Sequence, residues 1–209
     1  MDALPKERRR ELALFGWLFF ASGFAALLYQ VMWQRTLFAL WGINSESVTV
    51  IVTAFMVGLG VGSLAGGVVS RDPTRRTALW FAGCELAIGL YGLVSMPLFH
   101  FVGTLMLPSS AALVAFATFL MVLVPTTLMG ATLPLLVSHF TRVNKHVGDS
   151  VGALYHTNTL GAAAGAFAAG IVLPGLLGQS GTLRVAAVLN FVAAAIAMIK
   201  LRKVEEASP

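Results

Sequence analysis

This chain of 209 residues is 57% hydrophobic and only 11% charged. Soluble domains carry about 25% charged residues, so it has too little polar side chain to cover a water-facing surface. A mean hydropathy of +0.83, with apolar runs of roughly 20 or more residues, predicts a polytopic protein in a lipid bilayer of ~30 Å hydrocarbon. The net charge of +5 therefore reports topology; nucleic-acid binding would need a basic soluble domain.

Six spans are expected, at about 12–40, 47–70, 77–99, 109–139, 149–176 and 180–201. The first follows "KERRR", is too long for a signal-peptide core and lacks a small-residue cleavage site, so it reads as a helix. Its "LLYQVMWQR" places Tyr29, Gln30 and Trp33 close on one helical surface. Two rings and an amide so arranged either bind a cationic or amphipathic ligand or anchor the helix at the membrane interface. Arg35 follows. It either snorkels to the outer headgroups or pairs with an acid, Glu46 being nearest, as an outer gate.

Span two reads "AFMVGLGVGSLAGG". Span three contains "FAGCELAIGLYG", where Glu85 has no charged residue within eight positions on either side. A carboxylate at the centre of a spanning helix is disfavoured by about 2.5–3.5 kcal/mol on insertion scales. The expectation is that Glu85 points inward, against spans one or two, where a hydroxyl, Gln30 or the Arg35 head receives it. It then serves either as a neutral hydrogen-bonding group or as an ionised one that attracts a cation or carries a coupling proton. Cys84 is the only cysteine, which excludes disulfides and cysteine-based metal sites within one chain. No metal is expected.

In span four, "VPTTLMGATLPLL" sets Pro125 and Pro134 around Gly130. Each proline frees a backbone carbonyl that needs a polar neighbour, and Thr126, Thr127 and Thr132 are the candidates. Such a broken, threonine-rich helix suits a substrate pathway, with Thr126 and Thr127 touching substrate; a kinked packing helix looks the same. Span five opens with a polar patch, Tyr155, His156, Asn158 and Thr159. His156 can relay protons near neutral pH or make a structural hydrogen bond.

Span five continues "NTLGAAAGAFAAG". Gly161, Gly165 and Gly170 stand 103 residues after Gly58, Gly62 and Gly67, about half the chain. A unit with an odd number of spans repeats upside down in the membrane, so the halves, about 12–99 and 109–201, are expected to be inverted repeats. Gly58, Gly62, Gly161 and Gly165 then form flat stripes for close backbone approach, within the chain or between two copies. Twelve of the fourteen Lys and Arg fall before span one, between two and three, between four and five, and after six. The positive-inside rule puts both termini in the cytoplasm.

"SGFAALLYQVMWQRTLFALWG", "AFMVGLGVGSLAGG", "CELAIGLYGL", "PTTLMGATLPLL" and "LYHTNTLGAAAGAFAAGIVLPGLLGQSGTL" together cover roughly residues 15–198. In that order they resemble the membrane domain of bacterial membrane-spanning spermidine-synthase-like proteins, itself similar to a six-helix half of a major facilitator superfamily transporter. The loop "GGVVSRDPTRR" looks like the glycine-plus-basic loop of that superfamily. Gly66, Arg71, Arg75 and Arg76 match its pattern, while Ser70 stands where an acid is usual, with Asp72 two positions on. Gln30 occupies a place where the relatives tend to have Glu. The relatives also carry a soluble domain that binds an S-adenosyl cofactor. No loop here is long enough for one, so neither enzymatic activity nor a cofactor is expected.

The resemblance implies an all-α single domain over 1–209, half of a major-facilitator-like fold in the bacterial inner membrane. Six spans do not enclose a cavity, so a parallel homodimer is implied, with spans one and four on the cavity, Gln30 and Trp33 facing it, and spans two and five at the contact. It would move a small polar or cationic, polyamine-like molecule by alternating access. The competing reading is a non-transporting subunit that recruits or feeds a separate soluble synthase-like enzyme; a pore-forming oligomer is a third.

Overall fold

The computed structural model describes residues 6–42, 45–72, 76–106, 109–143 and 147–201, and among them no strand occurs. In chain order the helices are α1 (Lys6–Trp41), α2 (Ser45–Arg71), α3 (Thr77–Met106), α4 (Ala111–Val143), α5 (Val147–Phe167) and α6 (Leu173–Ile196). A π-helical turn, Ala168–Val172, joins the last two, and another, Ala197–Leu201, ends the described chain. Helix is the expected answer to an apolar solvent, because it satisfies every backbone donor and acceptor within one segment.

Five segments are long and apolar enough to cross a membrane: Ala13–Leu40, Val48–Arg71, Thr77–Met106, Ala111–His139 and Leu154–Ile199. The last covers 46 residues. It is not one rod, because Gly178 leaves the helical region at φ 68°, ψ 178°. That region is open essentially to glycine alone.

Contacts give each helix its direction. Gly161 lies against Phe20 and Gly165 against Phe24, so α5 runs along α1 in the same sense. Gln179 meets Thr36 and Asn190 meets Tyr29, so α6 runs back along α1. The chain therefore reverses through the Gly178 bend. α3 follows α1, through Ser22 with Glu85 and Trp33 with Ser95. α2 lies along α4, with Gly58 on Thr126 and Gly66 on Ala131 and Pro134.

The buried interior is apolar, as in a soluble protein, but so is the surface. Large apolar side chains stand exposed on every helix, among them Trp17, Leu64, Val94, Phe116, Phe167 and Leu176. They are not one patch on an otherwise polar surface, which would mark a docking site; they surround the bundle, as hydrocarbon solvent requires. Inside, an aromatic cluster fills the space between α1 and α3. Trp33 stacks on Tyr29 at 5.0 Å and meets Tyr91 and Phe99 edge-on at 5.6 and 6.1 Å.

Candidate functional site

Glu85 points into the bundle and is fully buried. Its Oε1 accepts from the Ser22 hydroxyl of α1 at 2.8 Å, and its Oε2 accepts from Asn190 Nδ2 of α6 at 2.6 Å. Asn190 turns its oxygen to the Tyr29 hydroxyl, 3.0 Å away. A chain of four side chains, Ser22–Glu85–Asn190–Tyr29, thus ties three helices together. Hydrogen bonds to an acid are the strong ones in a low-dielectric interior, and these offset the desolvation that an isolated carboxyl would suffer. Neither Gln30 nor Arg35 is the partner. The sequence signal for Asn190 was its isolation: it is the only strongly polar side chain in "VAAVLNFVAAAIAM", as Glu85 is in its own run. Ser22 carried no comparable signal.

Beside this network lies a cleft of about 480 Å³ bounded by α1, α2, α4 and α5. Its walls are mainly apolar, including Phe19, Leu27, Phe55, Met129 and Leu133, and α3 contributes only Phe81. Polar groups come from Ser22, Gln30, Ser63, Thr132, Tyr155, Asn158 and Thr159, none of them formally charged. Ser22 belongs to both places: it lines the cleft and holds Glu85. Gln30 is half-buried and lines the cleft.

Several expectations are corrected. Tyr29 and Trp33 do not face the cleft with Gln30; both are fully buried. Residues 29 and 33 are one turn apart on the side of α1 that meets α3 and α6, where Trp33 Nε1 donates to Ser95 Oγ at 3.0 Å. A buried indole N–H needs such a partner, and the ring is therefore core. Thr126 and Thr127 do not reach the cleft either. Their hydroxyls donate to carbonyls of their own helix, Val122 and Leu123, both at 2.8 Å; Thr126 meets Gly58 of α2 mainly through its side chain, and Thr127 meets Gly62 through its backbone. Thr132, further along the same helix, does line the cleft.

Two of the carbonyls freed by proline are served from other helices. Pro125 removes the donor for the Met121 carbonyl, and Tyr91 of α3 supplies one at 2.6 Å. Pro174 removes the helical donor for the Gly170 carbonyl, and Arg35 Nη2 supplies one at 2.7 Å. Arg35 thus holds the start of the last reversal; the side chain of Glu46, its expected acid partner, lies outside the described residues.

The glycine stripes pack within this chain. A Cβ at Gly58 or Gly62 would meet Thr126 or the Thr127 carbonyl of α4, and one at Gly161 or Gly165 the Phe20 or Phe24 backbone of α1. The third pair, Gly67 and Gly170, meets nothing within 4 Å. Gly66 closes on Ala131 and Pro134, and Ser70 donates to the Gly66 carbonyl at 2.6 Å. Arg71 and Arg76 are exposed and Asp72 is half-buried, while Arg75 lies outside the described residues. His156 is exposed; its neighbours Tyr155, Asn158 and Thr159 line the cleft but it does not.

No group of three or more His, Cys, Asp or Glu side chains able to hold a metal ion occurs among the described residues. Set against known proteins, the chain matches no family model, no curated protein and no solved structure.

Proposed function

We propose that this protein is a half-sized, major-facilitator-like transporter of the bacterial inner membrane, working as a homodimer by alternating access. The observation that carries the reading is the cleft, an apolar recess with a few convergent hydroxyl and amide groups, which is how small-molecule sites are commonly built. It opens along one side of a bundle whose opposite side, α3 and α6, is closed by the aromatic core and the Glu85 network. A second copy facing it would complete an enclosed path near the membrane midplane.

The packing supports an inverted repeat of two three-helix units. If α1, α2 and α3 exchange with α4, α5 and α6, the contact of α2 on α4 becomes that of α5 on α1. Glycines 103 residues apart make both contacts. The contact of α3 with α6 maps onto itself, and Glu85 meets Asn190 there. Counting the reversal at Gly178, this scheme has six crossings, with both termini on the cytoplasmic side where Lys and Arg concentrate.

The ligand is a small polar or cationic molecule. Walls bearing hydroxyls and amides but no carboxylate fit a neutral or singly cationic compound better than a polyamine with several charges. Proteoliposomes containing the purified protein alone test this with radiolabelled tyramine and spermidine. The reading expects saturable uptake of tyramine that exceeds that of spermidine and is reduced by Gln30→Leu. Flux that does not saturate indicates a pore, and the absence of protein-dependent flux of either compound contradicts transport.

A further inference from the structure

The two oxygens of Glu85 are not equivalent. Oε2 faces Asn190 Nδ2, which carries hydrogens and cannot accept one. With the Asn190 amide in this orientation, a proton on Glu85 has one place, Oε1, and the group facing Oε1 is Ser22. Ser22 is also the one member of the network that lines the cleft. The remaining titratable groups near Glu85 do not compete for that position. Tyr29 of α1 is turned to Asn190, and Cys84 precedes Glu85 on α3 and points elsewhere, into a surface groove with Leu79, Trp80 and Leu128. The α4 histidine, His139, sits against Phe15. From α6 the facing group is Asn190, and Arg184 is exposed.

A serine hydroxyl has one hydrogen and two lone pairs. Beside an ionised Glu85, Ser22 gives its hydrogen to Oε1 and offers the cleft only lone pairs. Beside a protonated Glu85, Oε1–H donates to Ser22 Oγ, and the serine hydrogen is released toward the cleft. We propose that Ser22 and Glu85 form a proton-linked hydrogen-bond switch that reverses the polarity of one wall of the cleft. A ligand with an N–H donor, such as a primary ammonium, is accepted by Ser22 while Glu85 is ionised. One proton arriving from the cleft at Oε1 takes up one of those lone pairs, turns the serine hydrogen toward the ligand and weakens that interaction. Binding and protonation are then linked reciprocally, so the ammonium ligand and the proton displace each other. The ligand class rests on the reading of the cleft as a binding site; the switch itself does not.

Infrared spectroscopy of the full chain in lipid bilayers separates the two. A carboxylic C=O band that grows on acidification and vanishes in Glu85→Gln identifies the protonated group, and its shift in D2O times the proton's exchange. Ser22→Val and Ser22→Thr share a shape and differ in the hydroxyl. Exchange is expected to slow by about tenfold or more in Ser22→Val, the scale of a lost hydrogen-bonded step, and to stay near wild type in Ser22→Thr and Tyr29→Phe. The amide bands check that each variant is folded. In wild type, butylammonium should move the band's midpoint to lower pH than tetramethylammonium, which has the same charge and no N–H; in Ser22→Val the two should agree. The switch is overturned by the absence of a Glu85-dependent band, by wild-type exchange in Ser22→Val, or by equal slowing in Tyr29→Phe. Equal midpoints with both cations in wild type overturn the link to the ligand.

Discussion

Four glycines that align at one offset should respond to alanine in opposite ways. At Gly62 the added Cβ meets the Thr127 carbonyl and the Ala131 nitrogen, and at Gly165 it meets the Phe24 backbone. A side-chain tip can rotate aside, but backbone cannot, so α2 must move off α4, or α5 off α1. Overpacking of this kind costs about 1–3 kcal/mol. Removing a helix-interior glycine returns about 0.5–1 kcal/mol. The net expectation is a loss of ~0.5–2 kcal/mol for Gly62→Ala and Gly165→Ala. Gly67→Ala and Gly170→Ala meet nothing within 4 Å and should be neutral or slightly stabilising. Equilibrium unfolding in mixed detergent micelles with increasing SDS, followed by tryptophan fluorescence, measures all four. Should Gly62→Ala unfold at the wild-type midpoint, or Gly67→Ala lose as much as Gly62→Ala, the assignment of these glycines to helix contacts within the chain is wrong.

Asn190→Leu removes two side-chain hydrogen bonds and leaves Glu85 Oε2 bare, whereas Tyr29→Phe removes one. At roughly 0.6 kcal/mol on average and up to about 1.7 for a bond in a membrane bundle, the same unfolding assay should read ~1–3 kcal/mol for the first and no more than about 1.7 for the second. Gly178→Ala forces a Cβ into a glycine-only backbone region and should lose ~1–3 kcal/mol, again by SDS unfolding, although nothing lies within 4 Å of the new Cβ. In a Cys84→Ala background, Gln30→Cys and Ser63→Cys should react with a water-soluble maleimide before unfolding, and Trp33→Cys only after it.

What the sequence made legible follows from the solvent. A bilayer penalises charge and free backbone groups severely enough that apolar length predicts helices and an isolated carboxyl predicts an inward position. Glu85 was readable on that basis, together with the peripheral place that the resembled fold gives span three. Its partners were not, because which residues of α1 and α6 meet it depends on how each helix is rotated about its axis. The same uncertainty displaced Tyr29 and Trp33. Their spacing defines a face of α1, and only the packing of α3 and α6 decides that this face looks inward while Gln30 looks to the cleft. Prolines announced that carbonyls would be freed. They did not announce donors as distant as Tyr91, 30 residues before Met121, or Arg35, 135 residues before Gly170. Glycine spacing revealed close contacts without naming the neighbour, which proved to be a helix of the same chain.

The proposal that a second copy closes the cleft is tested most directly by cross-linking single cysteines in native membranes, in the Cys84→Ala background. Met56 lines the cleft and is 58% exposed, and Val94 on α3 is 55% exposed, so the two sites are equally accessible and differ in which side of the bundle they occupy. With a short bis-maleimide, Met56→Cys is expected to give a covalent dimer and Val94→Cys to remain monomeric. A monomeric Met56→Cys alongside a cross-linked Val94→Cys would place the contact on the wrong side of the bundle and contradict the half-transporter account.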